Sequence, residues 1–90
     1  MKLEINKCYN LLQKGGGTQL IFLLSVEYIR TIYGSNRFVL NYSEVYGICE
    51  TSIDFEDIEH IYSVEIDDAI KKRLVSKWGE KIARNRGVMV

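Results

Sequence analysis

Proline is absent from this 90-residue chain, and cysteine occurs only twice, at Cys8 and Cys49. A chain without proline suits tight hairpins and helices rather than long extended loops. Two cysteines that far apart make neither a disulfide framework nor a CxxC metal knuckle, so both read as small buried hydrophobes in the reduced state. Long apolar runs are also lacking. The longest, Leu20 to Leu24, is far too short to span a bilayer, and no membrane partner is expected. Met1-Lys2-Leu3-Glu4 enters an amphipathic stretch rather than the apolar core of a leader, which points to a cytoplasmic location. Histidine occurs once. His60 and Cys49 have no orienting third residue at a recognisable spacing and no nucleophile elbow, so no catalytic pair is assigned. The three residues Cys8, Cys49 and His60 are too few and too scattered for a zinc site. Gly15-Gly16-Gly17 precedes strand material, whereas a phosphate loop follows a strand and ends in GK[ST]. The reading is therefore non-enzymatic, with no cofactor and no metal.

What the chain does contain is apolar residues at 47%, distributed along nearly its whole length. Residues 1–90 read as a single domain with one compact core. Ile5, Cys8, Tyr9 and Leu12 fall at i, i+3, i+4 and i+7, which predicts a short N-terminal helix over 3–13. The three glycines then form a flexible joint. Thr18 to Tyr33 is rich in β-branched and aromatic residues and predicts a long central strand. On strict alternation Leu20, Phe22, Leu24, Val26 and Tyr28 share one face, and Ile21, Leu23 and Ile29 share the other. Gly34-Ser35-Asn36 marks a hairpin leading into Arg37–Tyr42. Val45–Cys49 and Ser52–Phe55 read as further strand runs, Glu56–Glu59 as a tight turn, and His60–Ile66 as a last strand with Tyr62, Val64 and Ile66 on one face. Asp67 or Asp68 caps a C-terminal helix that presents Ile70, Leu74, Trp78 and Ile82 on one arc. Gly79 either permits a close backbone approach or ends that helix early, and Gly87 is its expected stop.

The neutral total conceals a split. Residues 1–68 carry eleven Asp/Glu against five Lys/Arg, and residues 69–90 carry seven Lys/Arg against one Glu. On the C-terminal helix Arg73, Lys77, Lys81 and Arg84 lie within about 80° of arc over about 16 Å. Three like-charge neighbour pairs in that row cost about 1 kcal/mol in an isolated helix. An acidic surface must answer it, either on the same body or on a partner such as nucleic acid. The acidic candidates in the chain are Asp54, Glu56, Asp57 and Glu59, with Glu50 and Glu65 flanking. They alternate around a turn and show no EF-hand spacing, so they form a solvated rim rather than a metal site. Tyr33 and Tyr42 flank the hairpin loop beside Arg30 and Arg37, a composition suited to an interface.

The passage Ile53-Asp54-Phe55-Glu56-Asp57-Ile58-Glu59-His60-Ile61, following a long bent strand and a hairpin, resembles the ending of a small SH3-like or Sm-like barrel. In such barrels a strand runs into a one-turn helix and straight into a closing strand. The resemblance covers about residues 1–66 and is one of shape. It implies a barrel that binds RNA, peptides or other proteins. The Asp-x-x-x-Asn-type loop of Sm proteins is missing, and Asn36 and Asn41 do not replace it, so no RNA-contacting residue is carried over. The basic C-terminal helix is an addition to the barrel.

The expectation is an α+β domain: a strongly bent antiparallel sheet or small β-barrel, with a short N-terminal helix and a basic C-terminal helix. The leading function is a small binding module that engages nucleic acid or a nucleoprotein through Arg73, Lys77, Lys81 and Arg84. The alternative is a protein-binding regulator or inhibitor, of the compact kind that phages and mobile elements encode. It would act through Tyr33, Arg37 and Tyr42 or through Glu56, Asp57 and Glu59. A free sheet edge also leaves room for a homo-oligomer.

Overall fold

The computed structural model describes residues 3–30, 32–34 and 36–85, with the backbone alone for residues 80–85. Five strands form one antiparallel sheet: β1 (Cys8–Gln13), β2 (Thr18–Arg30), β3 (Asn36–Glu44), β4 (Glu50–Asp54) and β5 (Ile58–Ser63). A one-turn 3₁₀ helix, Phe55–Asp57, joins β4 to β5, and a single α-helix, α1 (Asp68–Asn85), follows. The strand order is β4-β3-β2-β1-β5. The sheet is open: β4 and β5 form its two edges, joined only by the one-turn helix.

Strand β2 is central because both of its faces are apolar. Ile21 and Leu23 belong to one core cluster with Tyr9, Leu11, Leu40 and Tyr42. Phe22 and Leu24 belong to a second, on the opposite face, with Cys8, Val45 and Leu74. The pairing with β3 shifts register between Leu23 and Ser25, which makes Leu24 an extra residue. A bulge of one residue moves everything beyond it to the other face. Val26 therefore packs in the first cluster rather than with Phe22, and strict alternation holds only up to Leu24.

The N-terminal helix expected over 3–13 is not formed. Residues 8–13 are strand β1, paired with β2 on one side and β5 on the other. Tyr9 and Leu11 are buried in the first cluster and Cys8 in the second. A strand buried on both faces loses its period-2 alternation, and its apolar positions then mimic a helical spacing. The glycines are not a flexible joint. They make the β1–β2 hairpin, in which the Gln13 N–H donates to the Gly17 carbonyl at 3.1 Å and the Gly16 N–H to the Gln13 carbonyl at 3.0 Å. Gly16 and Gly17 take φ of 87° and 99°, open to glycine without strain.

Residues 45–49 are a loop, not a strand. The Gly47 N–H donates to the Glu44 carbonyl at 2.9 Å. A Cβ on Gly47 would lie 3.1 Å from the Glu44 Cβ, so the chain folds back tightly on the end of β3. The strand, one-turn helix and strand expected over 53–61 are present. On β5 the inward residue is Ile61, while Tyr62 is exposed.

Helix α1 begins as expected. The Asp67 carboxylate accepts from the Ala69 N–H at 2.8 Å, satisfying a free amide of the first turn. Ile70, Leu74 and Trp78 pack on the second cluster, so α1 lies across the face of β2 that carries Phe22 and Leu24. The indole N–H of Trp78 is buried without a hydrogen-bond partner among the described residues, and Lys77 Nζ lies over its ring, 5.1 Å from the centroid. Ile82 and Gly87 lie outside the described side chains and residues.

Gly79 neither ends α1 nor permits a close approach: the helix runs on to Asn85, and a Cβ at Gly79 would meet nothing within 4 Å. Gly79→Ala should therefore stabilise the fold by about 1 kcal/mol. Thermal unfolding should show a midpoint raised by roughly 4–8 °C; a lowered midpoint would refute the open environment of this position.

Candidate functional site

Two surfaces carry the interaction chemistry. The first is the far end of the β2–β3 hairpin. Strand β1 pairs with β2 as far as Cys8↔Phe22, and β4 pairs with β3 only as far as Val39↔Asp54. The β2–β3 pairing continues to Arg30↔Asn36. Tyr28 to Arg30 and Asn36 to Phe38 thus form a two-stranded arm beyond the body of the sheet. Val26↔Leu40 and Tyr28↔Phe38 are successive pairs on one face, so the line of the first core runs out along the arm into solvent. The Tyr28 and Phe38 rings meet edge to face with centroids 5.1 Å apart. At the tip, Ile32 is 92% exposed and Tyr33 90% exposed. Ile29 and Phe38 are exposed as well. Exposed single apolar residues are ordinary, but five on one short projection are not.

Of the hairpin residues expected at an interface, Tyr33 is there and Tyr42 is not. Tyr42 is 3% exposed, packs in the first cluster and donates its hydroxyl to Gln19 Oε1 at 2.9 Å. Burial, followed by the Glu44 carboxylate, pushes its phenol above the ordinary value. It lies deep in the body because β3 runs nine residues, Asn36–Glu44, and only its beginning belongs to the arm. Arg37 lies on the arm, and its guanidinium Nε donates to Asp54 Oδ2 on β4. Asp54 also accepts the Glu56 N–H at 3.0 Å and so caps the one-turn helix. These two donors, the Glu56 amide first and Arg37 second, hold the Asp54 carboxyl below its ordinary value. Glu56, Asp57 and Glu59 are exposed around that turn. Ile53 and Ile58 on either side of it pack against the first cluster, while the register of β4 turns Glu50 and Asp54 to the other face of the sheet.

The second surface is α1 and the 45–49 loop beside it. Arg73 and Lys77 are exposed. The side chains of Lys81 and Arg84 lie outside the described residues. Lys7 pairs with Glu4 at 2.6 Å, and Arg37 with Asp54. Lys77 Nζ donates to the Gly47 carbonyl at 3.3 Å. Arg73, Leu74 and Lys77 on one side, and Val45, Tyr46, Gly47 and Ile48 on the other, line a cleft of about 330 Å³. Tyr46 is 73% exposed and Ile48 81% exposed. Neither stood out in the sequence, because 45–49 read there as a strand run.

The cysteines differ. Cys8 is buried, and its thiol is pushed above the ordinary value by burial, partly offset by Lys71. Cys49 is exposed on the loop, contrary to its reading as a buried hydrophobe. His60 stacks on Tyr62 with centroids 5.6 Å apart, on β5 at the sheet edge opposite β4. Sheet order therefore holds His60 and the 45–49 loop with Cys49 apart. Among the described residues no three His, Cys, Asp or Glu side chains converge on a metal position, and no helix is long and apolar enough to cross a membrane. The chain matches no protein family, no curated protein and no solved structure.

Asp54 generates a pH signature. Its folded-state pKa lies below its ordinary value near 3.8, so its contribution to stability is present above that pH. The contribution is lost as pH falls through the lowered folded value. Denaturant midpoints measured from neutral pH down through the carboxylate range should show Asp54→Asn less stable than the parent at neutral pH, with the gap closing in acid. A gap that stays constant would show that Asp54 is not held ionised by these contacts.

Proposed function

We propose that this chain is a non-enzymatic binding module that recognises a protein partner through the β2–β3 arm. One observation carries the reading: Ile32, Tyr33, Tyr28, Phe38 and Ile29, all exposed, are gathered on one two-stranded projection together with Arg30 and Arg37. Tyr and Arg are the residue types enriched at interface hot spots. The sheet order β4-β3-β2-β1-β5, with a one-turn helix carrying the chain between its two edges, is compatible with the likeness to SH3-like and Sm-like barrels. That likeness is compatible with a binding role and does not choose the partner.

Ile32→Ser and Tyr33→Ala should each leave unfolding stability within about 0.5 kcal/mol, because both side chains are exposed. Each should weaken partner binding by roughly 30-fold if it is a hot spot. Affinity capture from nuclease-treated extract is the measurement. A protein retained by the parent and lost by both variants supports the reading; one retained equally by all three sinks it.

A second reading rests on a separate observation, the exposure of Arg73 and Lys77 side by side at one cleft. They offer a positive surface to phosphates. If all four cations of the row contact duplex DNA, log K should fall against log salt with a slope of about −3.6. Arg73→Glu with Lys77→Glu should abolish such binding and spare the arm's partner, and a flat salt response would remove this reading.

A further inference from the structure

We infer that the cleft between α1 and the 45–48 loop takes a single-stranded nucleic acid, with a base stacked on Tyr46 and phosphates on Arg73 and Lys77. The inference rests on the second reading above and gives it a substrate class.

Three observations favour a single strand over a duplex. First, α1 does not stand clear of the body on its cationic side. Lys77 Nζ reaches the Gly47 carbonyl at 3.3 Å, so the loop rises to the level of the cations. A helix is about 10–12 Å across and the major groove about 12 Å wide, which leaves no room for an accompanying loop. Second, the loop that blocks groove insertion presents Tyr46 and Ile48 to solvent at the same cleft as Arg73 and Lys77. An exposed aromatic face beside cations offers stacking to an unpaired base, whereas the bases of a duplex are stacked on one another and present only their edges. Third, the surface is narrow. Arg73 and Lys77 are the cations that line the cleft, so the positive surface there is a strip along one helix rather than a broad basic face. A strip suits one backbone tracking the helix axis.

The loop is held for this role by its own geometry. Gly47 permits the tight return onto Glu44, and the Val45 N–H donates to the Leu20 carbonyl at 2.9 Å, anchoring the loop to β2. Val45 is buried in the second cluster while its neighbour Tyr46 is exposed. The stacking platform is therefore positioned by a buried residue and by a backbone hydrogen bond.

The test uses the full chain and fluorescence anisotropy with a labelled oligothymidine, the matching oligouridine and the same DNA sequence as a duplex, at several salt concentrations. The single strands should bind more tightly than the duplex. Tyr46→Ala should weaken single-strand binding by roughly 5- to 150-fold, and Tyr46→Trp should retain it. Tyr46→Leu should resemble alanine, because it restores apolar bulk without a π face. Arg73→Glu should weaken binding and flatten the salt slope, which falls by about 0.7 for each cation lost on a single strand. Unchanged thermal unfolding of the Tyr46 variants shows that they fold. If the duplex binds at least as tightly and Tyr46→Ala changes nothing while Arg73→Glu abolishes binding, the phosphate-binding reading stands and the single-strand inference fails. Binding that survives both Arg73→Glu and Tyr46→Ala places the site elsewhere and overturns both. Absence of binding to every probe also overturns both.

Discussion

The two apolar faces of β2 constrain everything else in this molecule. Ile21 and Leu23 point one way, while Leu20, Phe22 and Leu24 point the other, and neither set can be left in water. Burying side chains of this size contributes roughly 1.5–3 kcal/mol each. The bent sheet wraps the first face with β3 and β1 and the outer strands. It has no further strand for the second, so α1 covers it with Ile70, Leu74 and Trp78. The position of the helix follows from that demand, and with it the position of every cation the helix carries.

The same strand also creates the arm. β2 has 13 residues and β3 has nine, whereas β1 has six and β4 five. At about 3.3 Å per residue β2 is long enough to leave its neighbours behind. Where β1 and β4 stop, the β2–β3 ladder continues with both faces in solvent, yet its residues keep the composition of a core strand. Tyr28 and Phe38 continue the line of Val26 and Leu40, and the difference between buried and exposed along that line is only the presence of a neighbouring strand. The one-residue bulge at Leu24 decides which face the arm's aromatic pair shares with the first core.

Several features were legible from residues alone because their signal is local. The dense run from Thr18 announced β2, Asp67 announced the start of α1, and the pattern from Ile53 to Ile61 announced the one-turn helix between two strands. Cys8 to Gln13 was misread for a physical reason: burial on both faces erases alternation, and what remains fits a helix equally well. Tyr42 could not be separated from Tyr33 in the chain, since both flank the same hairpin. Only the unequal lengths of the neighbouring strands put one in the core and the other in solvent. Tyr46 and Ile48 look like strand residues in sequence, and nothing local reveals that Gly47 folds them into a loop beside a helix thirty residues later.

The sequence by itself determined the long central strand, the hairpin after it, the passage from Ile53 to Ile61, the apolar arc of α1 and the charge of each half of the chain. These follow from spacing and residue type, which act over a few neighbours. The tertiary structure decided which faces meet, that Tyr33 is offered while Tyr42 is consumed, and that an aromatic loop stands beside Arg73 and Lys77. Those outcomes depend on contacts between residues far apart in the chain, where strand length, register and one bulge set the result and no short-range pattern records it.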